Sequence, residues 1–110
     1  MYVIDMNIIV NLDTPAFVSF LAGAEKINHD YIDYIASTYP NPRPVFKAAA
    51  GTRYIRVTRD GAAHAFIDRT NGDVLKPATW KAPAKHARGN IFDASNGLAK
   101  MGEYGPAYLR

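Results

Sequence analysis

The sequence predicts one α+β domain over residues 1–110: a small antiparallel sheet, built from an N-terminal strand plus a three-stranded meander, covered by one or two helices. Three observations predict it. Ile4, Met6, Ile8, Val10 and Leu12 are apolar at every second position, the period of a half-buried strand. Phe17, Phe20, Leu21 and Ala24 then recur at helical spacing. Beyond them, residues 53–76 hold three short alternating runs separated by turn dipeptides. The chain of 110 residues, 48% of them hydrophobic, has the length of one domain and enough apolar side chain for one core.

Each element follows in order. The first strand places Asp5, Asn7 and Asn11 opposite its apolar face, with Ile9 the exception. Asp13-Thr14-Pro15 reads as a helix start, with Asp13 or Thr14 at the N-cap and Pro15 at the first helical position. Gly23 and the break at Ile27-Asn28 leave either one helix from about Pro15 to Ser37 or two helices meeting near residues 25–28. The reading favours two, with Asn28 capping a second helix that carries Tyr31, Tyr34, Ile35 and Tyr39. A DNA-reading helix-turn-helix is disfavoured, because that second helix bears Asp30 and Asp33 and no Lys or Arg. The run Pro40-Asn41-Pro42-Arg43-Pro44 ends the helix and stiffens the connection.

In the meander, Ile55 and Val57 share one face of the first strand, and Tyr54, Arg56 and Thr58 share the other. Asp60-Gly61 turns the chain, and the next strand sets Ala65 and Ile67 against His64, Phe66 and Asp68. Asn71-Gly72 is the clearest hairpin signal, and Val74-Leu75-Lys76 returns. Pro83 and Gly89 are then expected to bound a short helix, and Ala107-Tyr108-Leu109 a short closing strand.

Charge is unevenly distributed. Residues 1–42 hold one base and five acids, a net of −4; residues 43–110 hold twelve bases and five acids, a net of +7. The excess concentrates over residues 76–90, where Lys76, Lys81, Lys85 and Arg88 surround the only tryptophan, Trp80, and no acid lies between Asp73 and Asp93. Cations around an aromatic ring attract phosphate and offer a base a stacking partner. The same segment also reads as a turn that buries its tryptophan and solvates its lysines. Tyr54, Phe66 and Trp80 are the candidate aromatic platform; Arg56, Arg59 and His86 complete the candidate contacts.

The run from Phe66 to Lys85, FIDRTNGDVLKPATWKAPAK, resembles a group of small uncharacterised proteins of tailed bacteriophages. In that group a similar "F-(I/V)-D-x-x-(T/N)-G-D-(V/I)" hairpin leads into "K-(P/A)-A-(S/T)-W-K-x-P-A-K". Arg88-Gly89-Asn90-Ile91 and Tyr108-Leu109-Arg110 match further elements of the group, so the resemblance covers roughly residues 54–110. It implies a phage-encoded protein acting in the cytoplasm of an infected bacterium or in the virion. It carries no activity with it.

The chemistry argues for binding over catalysis. Absent cysteine excludes disulfides, thiolate chemistry and cysteine-ligated zinc. His29 and Asp33 lie four apart on a helix, but two ligands make no metal site. There is no phosphate-cradling glycine loop. No apolar run spans a membrane, and the N-terminus lacks the basic region of a signal peptide. The expectation is a non-enzymatic protein without cofactor or metal. It binds an anionic partner, nucleic acid or else an acidic host or phage protein, through Tyr54, Arg56, Arg59, Lys76, Trp80, Lys81, Lys85, His86 and Arg88 acting as one surface. The alternative is a protein-binding phage factor, either a host-takeover or anti-defence inhibitor or a minor virion component, since aromatics with arginine also form protein hot spots.

Overall fold

A computed structural model describes residues 7–36 and 42–108. One helix, α1 (Pro15–Ile35), precedes five strands that form one antiparallel sheet in the order β1-β2-β3-β4-β5: β1 (Phe46–Ala50), β2 (Tyr54–Arg59), β3 (Ala62–Asp68), β4 (Asp73–Pro77) and β5 (Pro83–Asn90). A two-stranded ribbon follows, β6 (Met101–Gly102) with β7 (Gly105–Pro106). The class is α+β, with one helix and two antiparallel sheets among the described residues.

The helical region is a single helix, where two were favoured. Pro15 opens it, and the Ala36 N–H closes it on the Ile32 carbonyl. The features that read as a break have other uses. Asn28 is fully buried, and its side-chain amide donates to the Glu103 carbonyl at 2.8 Å, so it tethers the middle of the helix instead of capping a new one. Gly23 lets Leu98 pack against the helix backbone, because an added Cβ would overlap the Leu98 side chain.

The expected N-terminal strand is corrected over residues 7–12, which form no strand; residues 4–6 lie outside the described residues. The N–H groups of Ile9 and Val10 both donate to the Arg69 carbonyl, and the Arg69 guanidinium donates back to the Val10 carbonyl at 3.0 Å and to the Asn11 side chain at 2.8 Å. One arginine therefore holds this segment, and only Val10 enters the core.

The meander forms as expected in β2, β3 and β4. Asp60 and Gly61 both take positive φ, 47° and 82°, as a two-residue hairpin turn requires. Two strands extend it. β1 adds an edge through pairs such as Ala48 with Val57 and Ala49 with Arg56. β5 occupies residues expected to form a helical turn: Leu75 pairs with Ala87 and Pro77 with Pro83, and on an edge strand a proline at the first position costs no ladder bond. The closing strand is likewise displaced to Gly105–Pro106, with Ala107 and Tyr108 beyond it and Leu109 outside the described residues.

The core lies on one side of the large sheet. Phe17, Phe20 and Ala24 of α1 and Val10 pack on Ile55 and Val57 of β2, Ala65 and Ile67 of β3, Val74 of β4, and on Ile91 and Met101. A bulge between β2 and β3 pairs Val57 with Ala65 and Thr58 with Ala63, so His64 is the extra residue and joins Ala65 on the core side. There its ring meets Phe46 edge-on, with centroids 4.9 Å apart. Among the described residues, no helix lies on the opposite side of the sheet.

Candidate functional site

The open side of the sheet is built by alternation. Opposite the core residues Ile55 and Val57, β2 presents Tyr54, Arg56 and Thr58; β3 presents Phe66 and Asp68; β4 presents Asp73 and Leu75. Phe66 and Leu75 are only 2% and 5% exposed although no helix among the described residues covers this side. Tyr54 meets the Phe66 ring edge-on at 6.1 Å, and the Arg56 guanidinium lies 5.9 Å from its centre.

The connection between β4 and β5 supplies the tryptophan. The Thr79 hydroxyl accepts from the N–H groups of Lys81 and Ala82, and the Ala82 carbonyl accepts from those of Ala78 and Thr79, which closes a tight turn. Arg56 donates to the Trp80 carbonyl at 3.0 Å while its guanidinium stacks 4.2 Å from the indole centre. Trp80 remains 47% exposed. The ring is thus neither a buried anchor nor a loose side chain: Arg56 positions it and solvent reaches its outer face. A hollow of about 260 Å³ opens beside this stack, walled by Ala49, Gly51, Tyr54, Arg56 and Lys81.

The ion pairs among the described residues are Lys26 with Asp30, Arg43 with Asp33, and Arg53 with Asp68. Arg56, Lys81 and Lys85 have no acidic partner among them. Asp68 is held as a carboxylate despite its burial, because hydrogen bonds from Thr70 and the Arg53 pair outweigh the desolvation that pushes the other way. Lys85 lines a second hollow on the same side, and His86 is exposed on β5.

The remaining candidate residues do not join this surface. Lys76 alternates with Leu75 and so points to the side of α1, where its ammonium donates to the Pro106 carbonyl at 3.0 Å and lies 3.9 Å from the centre of the Tyr108 ring. Arg88 is buried and donates to the Ala107 carbonyl at 3.2 Å. Arg59 donates to the Glu103 carbonyl at 3.4 Å and stacks over Tyr104 at 4.9 Å. The single basic surface expected from the sequence is therefore divided: Tyr54, Arg56, Trp80, Lys81 and Lys85 face one way, and Arg59, Lys76 and Arg88 hold the β6–β7 segment on the other.

The family model that matches this chain covers residues 19–107 and carries the description "Family of unknown function (DUF7717)". The chain belongs to the DUF7717 family. In this DUF7717 member the match begins within α1 and runs through β7, so it includes every strand and the whole open face. No curated protein and no solved structure matches it.

Sequence reasoning missed two parts of the DUF7717 open face. One is the wall of the hollow made by the end of β1 and the turn after it; the other is Arg53 with Asp73. The register of Ala49 with Arg56 creates the first, and nothing local to an alanine run signals it. Arg53 has a local signal, an arginine beside Tyr54 and fifteen residues before Asp68.

Proposed function

We propose that this protein is a small, non-enzymatic nucleic-acid-binding protein of phage origin, and that a single strand lies across the open face of its sheet. One observation carries the reading. Arg56 is held over Trp80, beside Tyr54 and Lys81, on a sheet face with neither a covering helix nor an acidic partner for Arg56 among the described residues. Phosphate oxygens meet the Arg56 and Lys81 cations, and bases stack on the exposed indole and on Tyr54. A hollow of about 260 Å³ suits a splayed-out base better than the flank of a duplex. The resemblance of residues 66–85 to tailed-phage proteins supports action in the cytoplasm of an infected bacterium or in the virion.

Trp80 is the only tryptophan, so its fluorescence reports the site directly. Titration with single-stranded oligonucleotides is expected to quench it. The affinity should fall with salt at a slope of about −0.7 per phosphate contacted. Charge reversal at Lys81, and Arg56→Ala separately, should weaken binding and leave the circular dichroism spectrum unchanged. Absence of quenching at low salt, or binding indifferent to both substitutions, refutes the reading. Salt-insensitive association with a protein from infected cells would favour the protein-binding alternative.

A further inference from the structure

The second hollow on the open face differs in charge from the first. It has a volume of about 500 Å³ and is lined by Arg53, Tyr54, Asp68, Asp73, Leu75 and Lys85. It meets the first hollow at Arg53 and Tyr54, which line both. Register sets its floor. Tyr54 pairs with Asp68; the pairing of Phe66 with Leu75 and Ile67 with Val74 puts Asp68 opposite Asp73; Asp73 pairs with Asn90.

Two carboxylates placed across adjacent strands repel each other. The charge on Asp68 is answered from within: Arg53 pairs with it at 3.1 Å, and the N–H and hydroxyl of Thr70 donate to it at 2.9 and 2.6 Å. Asp73 is answered by half. Its Oδ1 accepts from the Asn90 side chain at 3.1 Å, and its Oδ2 has no partner among the described residues. Asp73 itself lines the open hollow.

Arg53 and Lys85 offset Asp68 and Asp73 in this hollow, whereas Arg53, Arg56 and Lys81 line the first with no acid, so the backbone of a bound strand stays at Arg56 and Lys81, and what crosses Tyr54 into the second hollow is a base. We infer that this hollow receives the base next to that phosphate, and that Asp73 Oδ2 accepts a hydrogen bond from the exocyclic amino group of the base. The inference rests on the nucleic-acid reading of the open face. Arg53 and Lys85 on the same rim supply donors for a ring carbonyl. Cytosine fits this set, with its N4 amino donor; uracil puts a carbonyl oxygen in the same place and sets it against the carboxylate. The site therefore selects cytosine over uracil.

The test compares deoxycytidine and deoxyuridine oligomers of about ten residues, equal in charge and both without the thymine methyl, by quenching of Trp80. A hydrogen bond to a charged group predicts that the cytidine oligomer binds about tenfold more tightly. Asp73→Asn should bring the two to within about twofold without weakening the uridine oligomer, whereas Arg56→Ala should weaken both alike. Equal binding of the two oligomers by the parent, or a preference that survives Asp73→Asn, overturns the inference and leaves the broader reading standing. Binding of neither oligomer overturns both. The parent's ratio alone decides the matter should the Asp73 variant fail to fold.

Discussion

His64 makes stability depend on pH between about 4 and 6.5. His64 is 2% exposed, and its Nε2 has no hydrogen-bond partner among the described residues. Burial pushes its pKa from 6.5 down to about 4, and the positive charges of Arg59 and Lys76 push the same way. In the unfolded chain the imidazole regains its ordinary value. Between pH 6.5 and about 4 the unfolded chain therefore binds a proton that the folded protein refuses, and stability falls as pH falls through that window. Roughly 2.5 pH units at about 1.4 kcal/mol each bounds the loss near 3.5 kcal/mol, of which about 2.5 kcal/mol is reached by pH 4.5. The carboxylates with lowered values, Asp68 and Asp93, lose their contribution only below the ordinary carboxylate pKa of 3.8, so they leave this window largely to His64. Urea unfolding followed by far-ultraviolet circular dichroism at pH 7.5 and 4.5 measures the difference. In His64→Phe, which keeps an aromatic ring against Phe46 and removes the titrating nitrogens, the drop should shrink to under about 1 kcal/mol. A variant with the parent's full pH dependence would refute the assignment.

Three further outcomes follow from packing. Gly23→Ala should destabilise by about 1–3 kcal/mol in thermal unfolding, since its methyl overlaps Leu98; combining it with Leu98→Ala should cost less than the two single changes together. Phe66→Ala should cost about 3–5 kcal/mol by urea titration, as expected of a buried ring even though it belongs to the open side of the sheet. Trp80→Ala should cost only about 1 kcal/mol, because the ring is half-exposed and rests mainly on Arg56; a loss near that of Phe66→Ala would mean that the indole is buried in solution.

The parts of the fold legible in the sequence are those whose causes are local. Asp60-Gly61 and Asn71-Gly72 are turns because of their own backbone preferences, and β2 sorts its side chains by simple alternation, so Tyr54 and Arg56 could be placed on one face without a structure. β1 was illegible because Lys47-Ala48-Ala49-Ala50 has little strand preference and takes its form from pairing with β2. β5 was misread because Pro83 and Gly89 resemble helix punctuation, while its pairing with β4 decides otherwise. The period-two run at the N-terminus misled for a related reason: a single arginine fifty-nine positions beyond Val10 supplies the contacts that a strand ladder would have made. The candidate site divides along the same line. The direction of Lys76 and Arg88 depends on carbonyls thirty and nineteen residues further along, which no local pattern around Trp80 encodes.

The segment that holds those carbonyls also sets an order of events as the chain is made. Asn28, Arg59, Lys76 and Arg88 come from four different elements, and each donates to a backbone oxygen between residues 103 and 107, at sequence separations of 75, 44, 30 and 19. Until those residues leave the ribosome, one buried amide and three cations have no acceptor there, and the helix lacks its mid-point tether. The large sheet can pair early, strand by strand, through near neighbours. Its closure against α1 waits for the most distant contact, and loop-closure entropy makes that contact the slow one. A nascent chain stalled before residue 103 should accordingly be far easier to digest at α1 than at the β2–β3 hairpin.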